Sequence, residues 1–374
     1  MKKLFKIFGK VGVLVLCLVL LINLVCKDQS KSFTEQRSLQ MFPKFSEVTL
    51  DEYTSQMTSW FSDQFVGRDS LIHLKYLTQK VLGVRKIDDV YLGKHCLIQE
   101  TAEMNQEAVD KNIEAINNFF VKNNVNTMFL LANTAVGMNN DKLPRNAFEL
   151  DQNKQMDYVF NHLDPNIARI DVRDTLKSHK DEYLYYKSDH HWTTLAAYYA
   201  TQEIAEYMNF DLPGLDSFHK YPITYDFKGT LAKKTGSLMQ KDEVDIYVPK
   251  KNVDYVVTYA GAQEKKRTVY NSKAISSADQ YAVFFGGNQD LIQIDVNNES
   301  EHHLLVFKDS YANALIPFLI PYFRTITIVD PRYYTENVNR VVRSQMITDV
   351  LYVYNSNTFV GDTSLMDVLN EEAE

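Results

Sequence analysis

Cysteine is scarce in this sequence of 374 residues, which contains only three. Cys17 and Cys26 lie in an apolar segment near the N-terminus, so Cys96 stands alone in the rest of the chain. A disulfide within the folded body is therefore excluded. A single cysteine without a CxxC partner also does not match a cysteine-based metal site. We predict that Cys96 is a core residue.

Glycine and proline are also few, with 13 and 9 residues, which excludes collagen-like and linker-rich architectures. Hydrophobic residues make up 45% of the chain and charged residues 24%, which excludes disorder as the dominant state. Outside residues 1–27, 35 basic residues stand against 48 acidic ones, a net charge of −13. This acidic body argues against nucleic acid as the main partner, because phosphate backbones require basic patches.

The one long apolar run, Val11–Cys26, follows four lysines near the N-terminus. A positive flank before an apolar stretch is the layout of a secretory signal. Extended to Ile7, the run reaches the roughly 20 residues of a spanning helix, and an A-x-A-like cleavage site is missing. We predict an uncleaved single-pass anchor in the cell membrane over residues 1–27, with a cleaved signal peptide as the alternative. The lysines remain cytoplasmic, so residues 28–374 are extracytoplasmic.

The remaining chain divides into a polar stalk over residues 28–47 and one large domain over residues 48–374. Apolar positions recur at helical spacing over 48–83 and again over roughly 104–122. Apolar runs without strict alternation separate the helical patterns, which favours strands covered on both faces. The pattern therefore predicts an α/β sheet domain with flanking helices. The predicted strands cover residues 90–93, 96–98, 127–132, 168–172, 304–307, 325–329 and 349–354.

Residues 210–300 differ from the rest of this domain. They contain shorter strand-like runs, more lysine, asparagine and glycine, and no long helical pattern. We therefore predict a β-rich insertion on the α/β core at about 210–300.

A first cluster of chemically capable residues is Asp189-His190-His191-Trp192, which precedes an apolar helical pattern. The cluster is therefore expected on a loop at a helix N-terminus. An aspartate close to a histidine suggests a general base whose tautomer is held by a carboxylate. The alternative is that Asp189 or Thr193 only caps the helix.

A second cluster surrounds Ser310, where an apolar strand ends and a helix of small residues begins. A nucleophilic serine of the α/β-hydrolase type occupies such a turn, because the N–H groups of the helix N-terminus can stabilise an oxyanion. The alternative is a serine that only caps the helix. Together the two clusters supply Ser, His and Asp, and a catalytic triad is recognised by geometry rather than by chain order.

The segment Asp189-His190-His191-Trp192 resembles the name-giving motif of the DHHW family. That family is related to the alginate O-acetylation proteins AlgJ and AlgX, which have an SGNH hydrolase-like domain. Lys308–Asn313 is similar to the family's serine motif, and Asp330–Tyr334 follows it as in the family. Phe61–Asp69 and Val90–Gly93 are similar to its early helix and the next strand. The resemblance covers most of the chain outside the anchor and implies an SGNH hydrolase-like fold.

The resemblance implies roles for individual residues. Ser310 would be the nucleophile, His191 its base, and Asp189 the residue that orients His191. His190 occupies the variable position of the motif and receives no role.

The second oxyanion donor is less directly implied. SGNH-type sites use a glycine backbone and an asparagine side chain, and Gly287 and Asn288 follow an apolar run here. A simple turn is the alternative for these two residues. Arg332 is a further candidate for contact with the oxyanion or the substrate.

Two features depart from the SGNH pattern. Lys308 replaces the glycine of the usual Gly-Asp-Ser block. His191 also precedes Ser310 in the chain, whereas SGNH hydrolases have serine first and histidine last; the alginate proteins share the order seen in this chain.

The resemblance implies O-acetylation of an exported or cell-surface polysaccharide, with a membrane-bound O-acyltransferase that brings acetyl groups across the membrane. We expect ping-pong acyl transfer with no cofactor and no metal ion. The alternatives are a carbohydrate esterase with the same triad, and a non-catalytic glycan-binding or assembly protein. A metal-dependent hydrolase built on Asp189, His190, His191 and His302-His303 is disfavoured, because no HExxH-like spacing supports it.

Overall fold

The structure of the protein is a computed structural model that describes residues 49–251 and 253–370, together with residues 10, 21–23, 25–30, 32 and 38–45. Most of the predicted anchor over residues 1–27, and part of the predicted stalk over residues 28–47, lie outside the described residues. Among the residues that are described, no helix is both long and apolar enough to cross a membrane.

The chain divides into two compact units. The first comprises residues 1–84 and 233–238, and the second comprises residues 85–232 and 239–374. The helical segment at the start of the predicted large domain therefore belongs to the first unit.

The first unit contains two helices where the sequence predicts helical spacing, α1 (Leu50–Gln64) and α2 (Arg68–Val81). Helix α1 begins with a capping box: Glu52 N donates to Thr49 Oγ1, and Thr49 N donates to Glu52 Oε2. Gly67 separates the helices with a φ of +77°, a left-handed conformation that glycine adopts without steric cost.

The second unit alternates strands and helices, and the strands predicted from the sequence are confirmed with ends that differ by at most one residue. Cys96 is buried, as predicted. The strands are β1 (Lys86–Ile87), β2 (Val90–Leu92), β3 (Leu97–Gln99), β4 (Asn126–Ala132), β5 (Ala168–Asp171), β6 (Phe218–Phe227), β7 (Asp242–Pro249), β8 (Tyr255–Tyr259), β9 (Glu264–Lys266), β10 (Leu291–Val296), β11 (His303–Lys308), β12 (Thr325–Val329) and β13 (Asp349–Asn355). The helices that follow α2 are α3 (Gln106–Asn123), α4 (Ala135–Met138), α5 (Gln152–His162), α6 (Arg173–Ser178), α7 (Thr194–Met208), α8 (Thr230–Thr235), α9 (Ala312–Leu319), α10 (Val338–Ser344), α11 (Ser356–Phe359) and α12 (Leu365–Asn370).

The central sheet has eight strands in the order β5-β4-β13-β11-β12-β10-β8-β9. Every neighbouring pair from β5 to β12 is parallel, whereas β10, β8 and β9 add antiparallel strands at one edge. The carboxyl ends of the five parallel strands therefore lie along one edge of the sheet. In open α/β sheets, ligands bind outside these carboxyl ends.

Both faces of the parallel strands are buried. Leu304 and Val306 of β11 pack in a cluster that also contains residues of α7 and α9. Leu305 and Phe307 of the same strand pack in a second cluster, with residues of α3 and α5. Because successive side chains point to opposite faces, a strand covered on both sides needs apolar residues at every position. This explains the continuous apolar runs in the sequence.

The segment predicted as a β-rich insertion, residues 210–300, divides in two. β6 and β7 form a separate two-stranded antiparallel sheet. β8, β9 and β10 instead extend the central sheet. Along β10, buried positions alternate with more exposed ones, the pattern of an antiparallel strand with one covered face. The composition of the segment therefore reflects the antiparallel edge of the sheet as well as the separate hairpin.

Candidate active site

The Asp-His-His-Trp motif lies in a tight turn that leads into α7. Tyr185 and Trp192 form an isolated antiparallel bridge across this turn. Thr193 caps α7, because its Oγ1 accepts a hydrogen bond from Ala196 N. Of the two residues predicted as possible caps of this helix, Thr193 is therefore the cap. The carboxylate of Asp189 contacts other groups.

His191 lies between Asp189 and Ser310. Its Nδ1 is 2.5 Å from Asp189 Oδ1, and its Nε2 is 2.7 Å from Ser310 Oγ. A carboxylate only accepts hydrogen bonds, so Nδ1 carries the proton and Nε2 accepts the hydrogen of the Ser310 hydroxyl. The backbone N–H of His191 also donates to Asp189 Oδ1, at 3.0 Å. The structure thus places the three predicted residues in one hydrogen-bonded chain.

Ser310 sits at the turn between β11 and α9. The buried carboxylate of Asp309 holds this turn, because it accepts hydrogen bonds from Tyr311 N and from Asn355 N, each at 2.8 Å. Asn355 ends the neighbouring strand β13, so the turn is tied to the sheet. Helix α9 begins after Tyr311 without a side-chain cap. Ser310 is therefore not a helix cap, and its half-buried hydroxyl contacts His191.

Buried aromatic side chains hold His191 and Ser310 in place. The ring of Tyr281 stacks on His191 with centroids 3.9 Å apart and an interplanar angle of 14°. The Tyr281 hydroxyl donates to the carbonyl oxygen of Ser310, at 3.0 Å. Trp192 Nε1 donates to Tyr311 O at 2.9 Å, which joins the histidine motif to the serine turn. These contacts restrict both reactive side chains to one geometry.

A second loop, ahead of α8, encloses Asp189. Asp189 Oδ2 accepts hydrogen bonds from Thr230 N at 2.6 Å and from Thr230 Oγ1 at 3.0 Å. Gly229 N donates to Ser188 Oγ, which in turn donates to the buried carboxylate of Asp242. The sequence does not predict these residues. The Gly229-Thr230 pair before a short helix is a sequence signal that could have indicated this loop. No such signal marks Asp242, which is 54 residues from Ser188 in sequence.

The charge of Asp189 is stabilised within the site. Burial works against ionisation of this carboxyl. The neighbouring His190 and His191, together with the hydrogen bonds from His191 and Thr230, outweigh burial and place the pKa of Asp189 well below its usual range. Burial and the adjacent His191 lower the pKa of His190 to about 4, so this ring is neutral at neutral pH.

The two predicted oxyanion candidates, Gly287 and Asn288, differ in what they offer. The backbone N–H of Gly287 already donates to Phe284 O, at 3.1 Å. Asn288 Oδ1 accepts hydrogen bonds from Lys308 Nζ and from Asn313 Nδ2, each at 3.2 Å. A lysine ammonium only donates, so this contact defines which amide atom is the oxygen. The Asn288 amide nitrogen therefore points away from Lys308.

Arg332, which is itself exposed, forms an ion pair with a buried carboxylate. Its guanidinium makes two hydrogen bonds to the carboxylate of Asp330, at 2.8 and 2.7 Å. Asp330 also accepts from Lys308 Nζ, at 3.1 Å. Lys308 is thus paired on one side with Asp330 and on the other with Asn288. Arg332 therefore belongs to this ion-pair network, in which Asp330 is its partner, and not to the hydrogen-bonded chain of Ser310.

The ligand atoms that Asp189, His190 and His191 offer to a metal ion lie within 4.8 Å of one another. Each side chain is already hydrogen-bonded to a protein group: Asp189 to His191 and Thr230, His191 to Ser310, and His190 to Thr230. His303 begins β11, and His302 precedes it, at the opposite end of that strand from Ser310. His302 contacts Asp349 and His303 contacts Thr325. The structure therefore does not bring these two histidines to the Asp189 cluster.

Comparison with known families gives one match to a family model. The model of the DHHW protein family matches residues 101–329, which include Asp189, His191 and Ser310. No curated protein matches the sequence.

Solved structures of a DHHW family protein and of PatB1 share the fold of this chain. A DHHW family protein from Eubacterium siraeum has a TM-score of 0.66 and 24% identity, over 77% of this chain and 95% of that one. PatB1 from Bacillus cereus has a TM-score of 0.62 and 21% identity, over 74% and 99%. A second PatB1 structure carries a sulfonyl adduct. The O-acetyltransferase domain of Pseudomonas putida AlgJ has a TM-score of 0.46 and 11% identity, over 73% and 92%.

Proposed function

The chain belongs to the DHHW family, and from this we propose that it is an O-acyltransferase that uses Ser310 to transfer an acyl group to a polysaccharide hydroxyl. The observation that carries the proposal is the hydrogen-bonded chain from Asp189 through His191 to Ser310 Oγ. A serine activated by a histidine, which is itself oriented by a carboxylate, is the arrangement of a covalent acyl-transfer enzyme. The family resemblance makes acetyl the expected acyl group.

In the first half of the proposed reaction, His191 Nε2 takes the proton of Ser310 as Oγ attacks the carbonyl carbon of the acyl donor. The C–O bond to Oγ forms, and the carbonyl becomes an oxyanion. When this intermediate collapses, the bond to the leaving group breaks and His191 returns the proton to it. Asp189 holds the Nδ1–H tautomer and stabilises the imidazolium that forms between these steps.

We assign the oxyanion contacts to the backbone N–H of Ser310 and the side-chain amide of Asn288. Two donors, Lys308 and Asn313, occupy the Asn288 oxygen, so its N–H₂ group is the part that remains to donate. Gly287 is less suited, because Phe284 O already accepts from its backbone N–H. A preorganised donor at an oxyanion contributes roughly 3–4 kcal/mol to lowering the barrier.

In the second half, His191 removes the proton of a sugar hydroxyl as its oxygen attacks the carbonyl carbon of acyl-Ser310. The bond from this carbon to Ser310 Oγ then breaks, and His191 returns the proton to Oγ. If water takes the place of the sugar, the same residues perform ester hydrolysis. The carbohydrate esterase is thus the closest alternative, and the presence of a hydroxyl acceptor decides between the two reactions.

We further propose where the protein works. Residues 1–27 would hold it in the cell membrane, with the second unit on the extracytoplasmic side. The polysaccharide would reach Ser310 there, and a membrane-bound O-acyltransferase would supply the acyl group. The acceptor and this partner both follow from the family resemblance.

The test uses the full chain and its Ser310→Ala variant, incubated with 4-nitrophenyl acetate and analysed by intact-protein mass spectrometry. We expect an acetyl adduct or release of 4-nitrophenol from the parent, and neither from the variant. Ser178→Ala is the matched control, because Ser178 is an exposed serine of α6 that bonds only within its own helix.

Two results would count against the proposal. Equal activity of the parent and of Ser310→Ala would remove Ser310 as the nucleophile. An inert parent would favour a glycan-binding or assembly protein, and the next measurement would be binding to polysaccharide. Adding a polyhydroxylated acceptor to an active parent separates transfer from hydrolysis, because only the transferase makes an acetylated acceptor.

A further inference from the structure

His190 stands in the Asp-His-His-Trp motif, and the proposed reaction gives it no role. Its ring centroid is 3.9 Å from that of His191, and its side chain is 29% exposed. The backbone carbonyl of His190 accepts a hydrogen bond from the buried Tyr311 hydroxyl, at 2.7 Å. The position of His190 is therefore set by the same buried residue that follows Ser310.

The hydrogen bonds around Thr230 determine the tautomer of His190. The Thr230 hydroxyl has one hydrogen, and Asp189 Oδ2, 3.0 Å from Oγ1, belongs to an ionised carboxylate that only accepts. That hydrogen is therefore donated to Asp189. His190 Nδ1 lies 2.7 Å from Thr230 Oγ1 and must donate to it. The proton of the neutral ring is thus on Nδ1, and Nε2 carries a lone pair.

The Nε2 atom of His190 is accessible. Within the described part of the chain it has no hydrogen-bond partner, and it is not among the buried polar atoms that lack one. Partial burial of the ring and the adjacent His191 lower the pKa of His190 to about 4, so the ring is neutral in this tautomer at neutral pH. The site therefore presents an exposed hydrogen-bond acceptor directly beside the proposed base.

We propose that His190 Nε2 accepts a hydrogen bond from a hydroxyl of the acceptor sugar that neighbours the attacking hydroxyl. This inference rests on the proposed transferase function and adds the substrate feature that the site recognises, a pair of adjacent hydroxyls. Two neighbouring hydroxyls of one sugar ring can reach two adjacent imidazoles whose centroids are 3.9 Å apart and whose planes are inclined by 37°. One hydroxyl then loses its proton to His191, while the other is held by His190.

The test compares two acceptors of equal carbon number, glycerol with adjacent hydroxyls and 1-propanol with one. Both compete in one tube for the acetyl-enzyme formed from 4-nitrophenyl acetate, and the ratio of their acetate esters is measured. The variants are His190→Ala, His190→Gln and His190→Asn. Glutamine can place its amide oxygen near the position of Nε2, whereas asparagine reaches only the position of Nδ1. His219→Ala, an exposed histidine of the β6–β7 hairpin, is the control.

We expect the parent to prefer glycerol, and His190→Ala to reduce that preference by about threefold to tenfold, the value of one hydrogen bond. His190→Gln should recover most of the preference, and His190→Asn should not. Both acceptors draw on the same acetyl-enzyme in one tube, so a change in its rate of formation cancels from the ratio and the ratio reports acceptor recognition alone.

An unchanged glycerol preference in His190→Ala, with the acetyl-enzyme still forming, would overturn the inference and leave the proposed function standing. Equal losses of acetyl-enzyme formation and of transfer would also overturn it, because His190 would then act through His191. A parent that forms no acetyl-enzyme would refute the proposed function and this inference with it. Circular dichroism shows whether each variant is folded. If His190→Ala is misfolded, His190→Gln and His190→Asn are compared with each other instead.

Discussion

Gly229 is packed so closely against Asp189 that no larger residue fits there. A Cβ atom at this position would lie 2.1 Å from Asp189 Cβ and 2.3 Å from Asp189 Oδ2, both far below contact distance. The same loop supplies the two Thr230 donors to Asp189. The requirement for glycine therefore arises from close approach between two loops that are 40 residues apart in sequence, and not from an unusual backbone angle.

Gly229→Ala should disable the site because either the loop or Asp189 must move. Displacing a catalytic group by about 1 Å costs on the order of a hundredfold in rate, so we expect acetyl-enzyme formation to fall by about that factor. The measurement is the rate of 4-nitrophenol release from 4-nitrophenyl acetate. Gly361→Ala is the control, because the nearest atom to its added Cβ is 4.0 Å away. Full activity in a folded Gly229→Ala protein would contradict the role assigned to this packing.

At the scale of elements, the order of the parallel strands explains why histidine precedes serine in this chain. Counting the strands from β11 as first, then β12, β13, β4 and β5, gives the spatial order 2-1-3-4-5. This is the order of flavodoxin-like doubly wound sheets. Ser310 then follows strand 1, and Asp189 and His191 follow strand 5. In this chain the strands at positions 4 and 5 come first in sequence, and those at positions 1 to 3 come later. The histidine motif therefore precedes the serine motif in sequence, while both motifs lie at the same edge of the sheet.

The separate β6–β7 hairpin contains a carboxyl group, that of Asp245, with one oxygen that is buried without a hydrogen-bond partner. Asp245 in β7 pairs with Lys220 of β6 through Oδ2, at 2.9 Å, but its Oδ1 is buried without a partner. Burial, together with the neighbouring carboxyl of Glu243, outweighs the effect of Lys220 and raises the pKa of Asp245 to about 6. An aspartate in an unfolded chain has a pKa of about 3.9. The folded state therefore holds a proton between about pH 4 and pH 6 that the unfolded state has lost.

The sign of this shift predicts how stability depends on pH. The free energy of unfolding contributed by Asp245 falls as pH rises from about 4 to about 6, and the loss remains at higher pH. Asp245→Asn removes this titration, so we expect it to raise the free energy of unfolding by about 1–2 kcal/mol at pH 8, with the gain vanishing towards pH 4. Urea unfolding of parent and variant at pH 4.5, 6 and 8 measures it. A gain that is the same at all three values would show that packing, and not ionisation, is responsible.

At the scale of the whole molecule, charge and apolar residues are unevenly distributed. Five lysines and the apolar run Val11–Cys26 lie within residues 1–27, and the rest of the chain has a net charge of −13. The acidic part contains the candidate active site. This uneven distribution is the reason for the proposal that residues 1–27 hold the protein at a membrane.

This arrangement predicts the behaviour of the chain in fractionation. If the proposed anchor is correct, the full chain should sediment with membranes and resist alkaline carbonate extraction, because an apolar segment of about 20 residues is long enough to span a bilayer. A variant that lacks residues 1–27 should appear in the soluble fraction and keep its activity on 4-nitrophenyl acetate. Recovery of a shortened chain by intact-mass analysis would instead indicate a cleaved signal peptide. Release of the full chain by carbonate would contradict the anchor.

The sequence by itself determined the strands of the parallel sheet and the candidate site residues. The strands of the parallel sheet could be predicted because burial on both faces requires an uninterrupted apolar run. Asp189, His191 and Ser310 could be identified because each lies in a short motif at the end of an element, and the DHHW resemblance identified the family. These features depend on neighbours along the chain, so local patterns are sufficient to find them.

Only the tertiary structure decided which distant groups meet. The positions of Thr230, Gly229 and Asp242 around the histidine loop follow from the packing of separate loops, for which no local pattern exists. The same holds for the orientation of the Asn288 amide, because Lys308 on β11 and Asn313 on α9 define it. The edge strands β8 to β10 also looked like a separate insertion in sequence. A sequence pattern reports whether a residue is buried, whereas the identity of its partner depends on how the whole chain folds.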